Sequence, residues 1–159
     1  MIILGIDPGT SRLGWAILKS KKEEIRPLDY GCFEFEGQTG EKLLKISNNL
    51  NHLIKKYQPS ILAVEKIFFF KNAKTAMSIS EAKGVILLAA QKNKIETIEL
   101  TPLEIKQYVV GYGRADKKDI QKTIQFFFSL ETLPKPDDTS DAIAVALAGL
   151  NKLQKKKTK

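Results

Sequence analysis

Ile2-Ile3-Leu4-Gly5-Ile6-Asp7-Pro8-Gly9-Thr10-Ser11-Arg12-Leu13-Gly14 is the stretch on which the reading of this chain turns. A short apolar run that stops on a carboxylate and a Pro-Gly turn predicts a buried strand, with Asp7 held on a rigid support where the chain reverses. Asp is also a common turn residue that bonds its own backbone, so Asp7 alone identifies nothing. Two further acidic positions give it company. Glu65 closes a second apolar run, Ile61-Leu62-Ala63-Val64, and Asp138 and Asp141 open the last helical pattern.

Outward from Asp7, the run from Leu13 to Lys19 predicts a second strand, antiparallel to the first because the link between them is a short turn. Ser20 to Glu24 is a charged turn, and the alternation from Ile25 to Phe35 predicts a third strand, completing a meander. Gly37-Gln38-Thr39-Gly40 breaks the chain, after which Leu43, Ile46, Leu50, Leu53 or Ile54, and Tyr57 recur at helical spacing until Pro59. A strand, a crossover helix and a further strand favour a right-handed parallel arrangement. The strand from Ile61 to Glu65 can therefore lie beside the first, about 5 Å away, with Asp7 and Glu65 on one edge of the sheet.

A long helix is predicted from about Ala73 to Lys92. Its stripe Ala76, Ser80, Gly84 has almost no side chain and would let a sheet, or a second subunit, come close. Ile95 to Leu100 is a fifth strand. Thr101-Pro102-Leu103-Glu104 has the pattern of a capping box with proline at the first helical position. That helix ends by Gly111-Tyr112-Gly113, Asp116 caps another to about Phe128, and Leu133-Pro134-Lys135-Pro136 leads to an alanine-rich helix from Asp138 to Leu150. The expected architecture is one α/β domain over residues 1–151. It has a five-stranded mixed sheet, an antiparallel meander plus parallel strands, flanked by helices. Residues 152–159 are a basic tail without core-forming pattern, expected to be disordered.

At 159 residues and 43% hydrophobic content, the chain has the size and apolar content of one ordinary domain. A lone cysteine, Cys32, excludes a disulfide within the chain and any multi-thiolate zinc site, and points to a reducing, cytoplasmic setting. No apolar run approaches the roughly 20 residues of a membrane span, and no leader pattern opens the sequence, so a protein that is neither exported nor membrane-bound is expected. The single histidine, His52, falls in a helical pattern as a surface residue. Twenty-six Lys and Arg against 18 Asp and Glu leave a formal charge of +8, which favours a polyanionic partner.

Asp138 and Asp141, three apart, share one face of the first turn of a helix. Helix starts attract acids simply as caps, so the pair alone is ambiguous, as is Glu65. Taken together, one acid ends the first strand, another ends its neighbour, and a pair begins a helix able to pack against that edge. Oxygen ligands without His or Cys suit a hard cation, Mg²⁺ or Mn²⁺. Two such ions about 4 Å apart can clamp the attacking and leaving oxygens of a phosphoryl transfer.

Asp7-Pro8-Gly9 after an apolar strand, Val64-Glu65-Lys66-Ile67-Phe68 with Lys71-Asn72-Ala73 behind it, Lys106-Gln107-Tyr108-Val109-Val110-Gly111-Tyr112-Gly113 leading to Ala115-Asp116-Lys117, and Asp138-Thr139-Ser140-Asp141-Ala142 together resemble the RuvC family of Holliday junction resolvases. The resemblance runs over nearly the whole chain in the family's order and spacing. It implies a ribonuclease H-like fold and a homodimer. It also implies a Mg²⁺-dependent endonuclease with two ions per site, Mn²⁺ able to substitute, that nicks opposing strands of a four-way DNA junction in recombination and repair. The nicks would carry 5′-phosphate and 3′-hydroxyl ends. Asp7, Glu65, Asp138 and Asp141 match the family's catalytic, metal-holding carboxylates. Lys106 and Lys117 match basic residues near the DNA backbone, although as plain sequence both could be solvated helix residues. Lys117 has independent support, since it begins a helix after a glycine-containing loop, where free N–H groups favour phosphate. Phe68 matches an aromatic that contacts a base near the crossover. Phe69, Lys71, Arg114 and Lys118 are further candidate DNA contacts, and Phe70 is bulkier than the family pattern leads one to expect. RuvA and RuvB, the branch-migration proteins, are partners implied by the resemblance.

Two rival readings come from other classes. An actin-like ATPase or sugar kinase also opens on an apolar strand and Asp-x-Gly-Thr, but needs two lobes to enclose a nucleotide, and 159 residues supply one. A DNA-structure-binding module without nuclease activity would keep the fold, but all four matching carboxylates are in place here.

Overall fold

A computed structural model of the chain describes residues 1–22, 24–66 and 73–157. Its elements follow in the order β1 (Ile2–Asp7), β2 (Arg12–Lys21), β3 (Glu24–Glu34), α1 (Thr39–Tyr57), β4 (Ile61–Glu65), α2 (Ala73–Lys92), β5 (Glu96–Leu100), α3 (Pro102–Val109), α4 (Lys117–Phe127) and α5 (Asp137–Lys157). The five strands form one sheet in the order β3-β2-β1-β4-β5. β1 pairs antiparallel with β2 and parallel with β4, and β4 pairs parallel with β5, so the expected mixed topology is the one observed.

Strand parity sorts the sheet into two faces. On one, Leu4, Ile6, Leu13, Trp15, Ile17, Leu62 and Val64 pack against α1 and α2 through Ile46, Leu50, Ala82 and Ile86. On the other, Ile3, Ala16, Leu18, Ile61, Ala63 and Leu100 pack against α3, α4 and α5. Leu4, Ile6 and Leu62 are wholly buried, and each such side chain contributes about 1.5–3 kcal/mol to the stability of this three-layer arrangement. β3, at the sheet edge, alternates in exposure and tolerates Pro27, whose missing N–H would break a central ladder.

The helix ends follow local chemistry. In α3, the Thr101 side chain accepts from the Glu104 N–H at 3.1 Å while Glu104 accepts from the Thr101 N–H at 2.8 Å, the reciprocal cap its sequence predicts. Asp116 caps α4 in the same way.

The disordered tail expected from residue 152 onward is corrected by α5, which continues to Lys157. Leu153 packs against the core, Lys152 pairs with Glu104 at 2.7 Å, and the Lys155 ammonium lies 5.2 Å from the centre of the Tyr108 ring. α3 supplies these anchors. A composition read without α3 beside it sees only charge. The α2 stripe divides, with Ala76 buried, Ser80 half-buried and Gly84 turned outward. Ala82, Ile86, Ala89 and Ala90 take the buried face, while Gly84 is exposed with nothing within 4 Å of where a Cβ would lie. Among the described residues, no helix is long and apolar enough to cross a membrane.

Candidate active site

Asp7 lies on the α5 side of the sheet, because it follows Ile3 and Gly5 in strand parity. β1 and β4 run in step, Ile6 beside Val64, so Glu65 follows Val64 as Asp7 follows Ile6, on the same face. α5 then brings the aspartates. Gly14, the Cα partner of Asp7 across β2, lies under the first turn of α5, where an added Cβ would meet the Asp138 carbonyl oxygen at 1.9 Å. One turn later an added Cβ at Gly5 would meet the Ala142 carbonyl and the Ala146 backbone at 2.5 and 2.6 Å. Glycines in the sheet and alanines in α5 let the helix lie almost on the strands, which sets its acidic first turn over Asp7. Thr139 and Ser140 are buried there, the latter donating to the Asp137 carbonyl at 2.8 Å.

The electrostatics report the crowding. The Asp7 carboxyl is pushed up to about 8, first by burial, then by the negative charges of Asp141, Glu65 and Asp138, with Lys117 opposing. Glu65 is also raised, by burial and then by Asp141, against the pull of Lys83. Asp141 is raised chiefly by burial, which outweighs its hydrogen bond from Lys117. The Lys117 ammonium donates to Asp141 at 3.0 Å and pairs with Asp137 at 3.1 Å, and these bonds, Asp141's the stronger, hold its pKa above the usual value although burial acts the other way.

A cleft of about 260 Å³ opens beside these groups, with Glu65, Asp141, Lys106 and Lys117 around it and Pro102, Ile105, Ile120, Ala144 and Val145 as its apolar lining. Among the described residues, no three acidic, His or Cys side chains are drawn into a metal-holding cluster. Like charges resist closure, and Lys117 engages Asp141 instead. The donor set nevertheless fits a hard cation. Several carboxylates share one partly buried site at which Asp7 resists ionising, and a divalent ion would relieve the repulsion.

The family described as "Crossover junction endodeoxyribonuclease RuvC" matches residues 3–149. The chain belongs to the RuvC family. It is 44% identical over 149 residues to the crossover junction endodeoxyribonuclease RuvC of Desulfitobacterium hafniense, covering 92% of this chain and 90% of that one. With the protein of the same name from Petrotoga mobilis, identity is 47% over 148 residues, covering 92% and 91%. Among solved structures, the RuvC of Thermus thermophilus in complex with Holliday junction substrate superposes with a TM-score of 0.93 at 25% identity, covering 98% of this chain and 96% of that one.

In this RuvC-family chain, Asp7, Glu65, Asp138 and Asp141 are brought to one edge of the sheet, and Lys106 and Lys117 to the cleft beside them. Arg114 and Lys118 are exposed on the approach to α4 and its first turn. Phe68, Phe69 and Lys71 lie outside the described residues. Two participants are absent from the sequence reading. Asp137 shares the Lys117 ammonium, and its only signal is that it doubles the acid at the start of α5. Lys83 is largely buried, is bonded to Glu99 and acts on Glu65. Its position depends on α2 meeting β5, which no local pattern announces.

Proposed function

We propose that this chain resolves four-way DNA junctions as a metal-dependent crossover junction endodeoxyribonuclease, with Asp7, Glu65, Asp138 and Asp141 as its catalytic, metal-holding groups. The observation that carries the assignment is the convergence of three elements distant in sequence, β1, β4 and α5, on one carboxylate site beside a lysine-lined cleft in a RuvC-family chain. The ions, two Mg²⁺ with Mn²⁺ able to replace them, would acidify a water and stabilise the leaving 3′ oxygen.

The chain's own groups do the rest. Asp7 and Glu65 sit on strand ends, so their oxygens are held by the sheet and not by a loop. Lys117 neutralises Asp141 and Asp137 in the resting site and is placed to donate to a phosphate oxygen when the backbone arrives. Lys106, with no acidic partner among the described residues, adds positive potential at the cleft wall. Ile105, Ile120, Ala144 and Val145 limit water on one side, which strengthens every charge interaction nearby. Products would carry 5′-phosphate and 3′-hydroxyl ends. Incubating a labelled four-way junction with protein and Mg²⁺ should give paired symmetric nicks, and binding without nicks would leave the non-catalytic module as the better reading. A cytoplasmic setting and association with RuvA and RuvB belong to the same reading.

Paired nicks on a junction of approximate two-fold symmetry are most simply made by an isologous dimer. α2 supports one, because Met77 and Leu88 are 64% and 53% exposed and lie on one helical face with the bare Gly84. Gly84→Leu meets no neighbour within its own chain, so the fold should survive while the dimer weakens by roughly tenfold or more, the effect of one buried clash of about 1.4 kcal/mol. Sedimentation velocity across a concentration series reads this. An unchanged dimer would move the interface elsewhere.

A further inference from the structure

Phe126 is 89% exposed, more than any other large hydrophobic residue among those described. Its neighbours Phe127 and Phe128 pack edge to face with ring centroids 4.9 Å apart, and Phe128 and Ile124 carry the helix onto the core, so the fold has no use for the Phe126 ring. A single exposed ring is ordinary. This one is aligned. Lys118, Lys122 and Phe126 are four apart on α4, hence stacked along one outward face, with about 6 Å of rise between successive positions. Neither lysine has an acidic partner among the described residues, in contrast to Lys117, which holds two. Arg114, likewise unpaired, precedes the helix, and exposed Glu131 lies beyond its far end, where the positive strip stops.

We infer that the Lys118-Lys122-Phe126 face of α4 is a second DNA contact, a ridge that grips the backbone of one duplex arm away from the crossover. The inference rests on the junction-nuclease reading and extends it to a surface outside the cleft. α4 starts at Lys117, whose ammonium is at the carboxylates, and Lys118 follows it turned about 100° towards the outward side, so the ridge begins one residue from the site and leads away from it along the outer face of the helix. From Lys117 to Phe126 the helix rises about 13 Å. At 3.4 Å per nucleotide, that rise spans roughly four base pairs of an arm lying along the outward side of α4. Lys118 and Lys122 would each meet a phosphate, and the ring would lie against deoxyribose, a contact that orients the arm without reading its sequence. An acidic protein partner would use the lysines equally well. The duplex is preferred because the helix's first residue already stands at the DNA-cleaving site.

The test measures junction affinity in chelator across a salt series for the wild type, Lys122→Gln and Phe126→Ala. It uses an ordinary junction and one carrying neutral methylphosphonates two to five nucleotides from the cleavage point. Both side chains are exposed, and equal melting temperatures would verify intact folds. For the ordinary junction, Lys122→Gln should weaken binding about three- to tenfold and lower the slope of log affinity against log salt by about 1. Phe126→Ala should weaken binding several-fold with the slope unchanged, and Phe126→Tyr should restore it. On the methylphosphonate junction, wild type and Lys122→Gln should bind alike. If all variants match the wild type in affinity and slope while the wild type still binds and nicks junctions, the ridge is wrong and the function stands. If the wild type itself neither binds nor nicks junctions, both fall.

Discussion

Asp7→Asn should abolish cleavage in Mg²⁺, bind the junction in chelator at least as tightly as the wild type, and melt higher than the wild type when metal is absent. All three effects come from one charge. Metal-free, Asp7, Glu65, Asp138 and Asp141 crowd the place that the proposed function gives to a DNA phosphate, and burial, then the charges of Asp141, Glu65 and Asp138, push the Asp7 carboxyl up to about 8. The amide keeps the shape while removing a hard ligand and, as pH rises through 8 and Asp7 ionises, one repulsion. Its advantage in binding should shrink at high salt as screening grows.

The stability effect has a definite sign. A carboxyl whose folded pKa lies above its unfolded value of 3.8 favours the fold only while protonated. That contribution is complete below about pH 4 and is lost as pH rises towards 8, where the folded group ionises. At pH 8 the amide should therefore gain on the order of 1–2 kcal/mol, or about 2–8 °C in melting temperature. This is well short of the full shift, because Asp7 is partly exposed and water screens it. The gain should vanish at pH 4 and should shrink when Mg²⁺ is added to both proteins. Melting curves at the two pH values, with and without metal, check it. Substantial residual cleavage would remove Asp7 from the metal site, and a large loss of metal-free DNA binding in a folded variant would make Asp7 an organiser of the DNA surface instead.

Gly14→Ala should cripple the enzyme through its backbone, without touching a carboxylate. The new methyl would lie 1.9 Å from the Asp138 carbonyl oxygen and 2.5 Å from its carbon, and both are main-chain atoms of a helix that cannot rotate away. α5 must lift at its acidic end. Overpacking of this kind costs about 1–3 kcal/mol, which at this size lowers the melting temperature by roughly 2–12 °C. The larger consequence is catalytic, because Asp138 and Asp141 ride on the displaced turn while Asp7 and Glu65 stay on the sheet. A misplacement near 1 Å can cost on the order of 10²-fold in rate. Gly40→Ala, where a Cβ meets nothing within 4 Å, is the control and should leave cleavage intact. If Gly14→Ala cleaves junctions as fast as Gly40→Ala, the close seating of α5 does not set the site.

By itself, the sequence determined whatever depends on short-range pattern. Short apolar runs marked β1 and β4 and alternation marked β3, and the Asp7-Pro8-Gly9 turn and the Thr101 and Asp116 caps marked where elements start and stop, because these signals are carried by residues within a few positions of one another. Parity along β1 and β4 even places Asp7 and Glu65 on one face once the two strands are taken as parallel neighbours. Only the tertiary structure decided what happens between elements. That α5 lies on the strands, closely enough for Asp138 to rest on Gly14, depends on glycines and alanines more than a hundred residues apart. The sharing of Lys117 by Asp137 and Asp141, and the approach of Lys83 to Glu65, join helices and strands whose spacing no local window contains. Residues 152–157 make the same point from the other side. Their composition predicts disorder, yet α3 offers a seat for Leu153 and a carboxylate for Lys152, and the helix continues because contacts distant in sequence repay the entropy of ordering it.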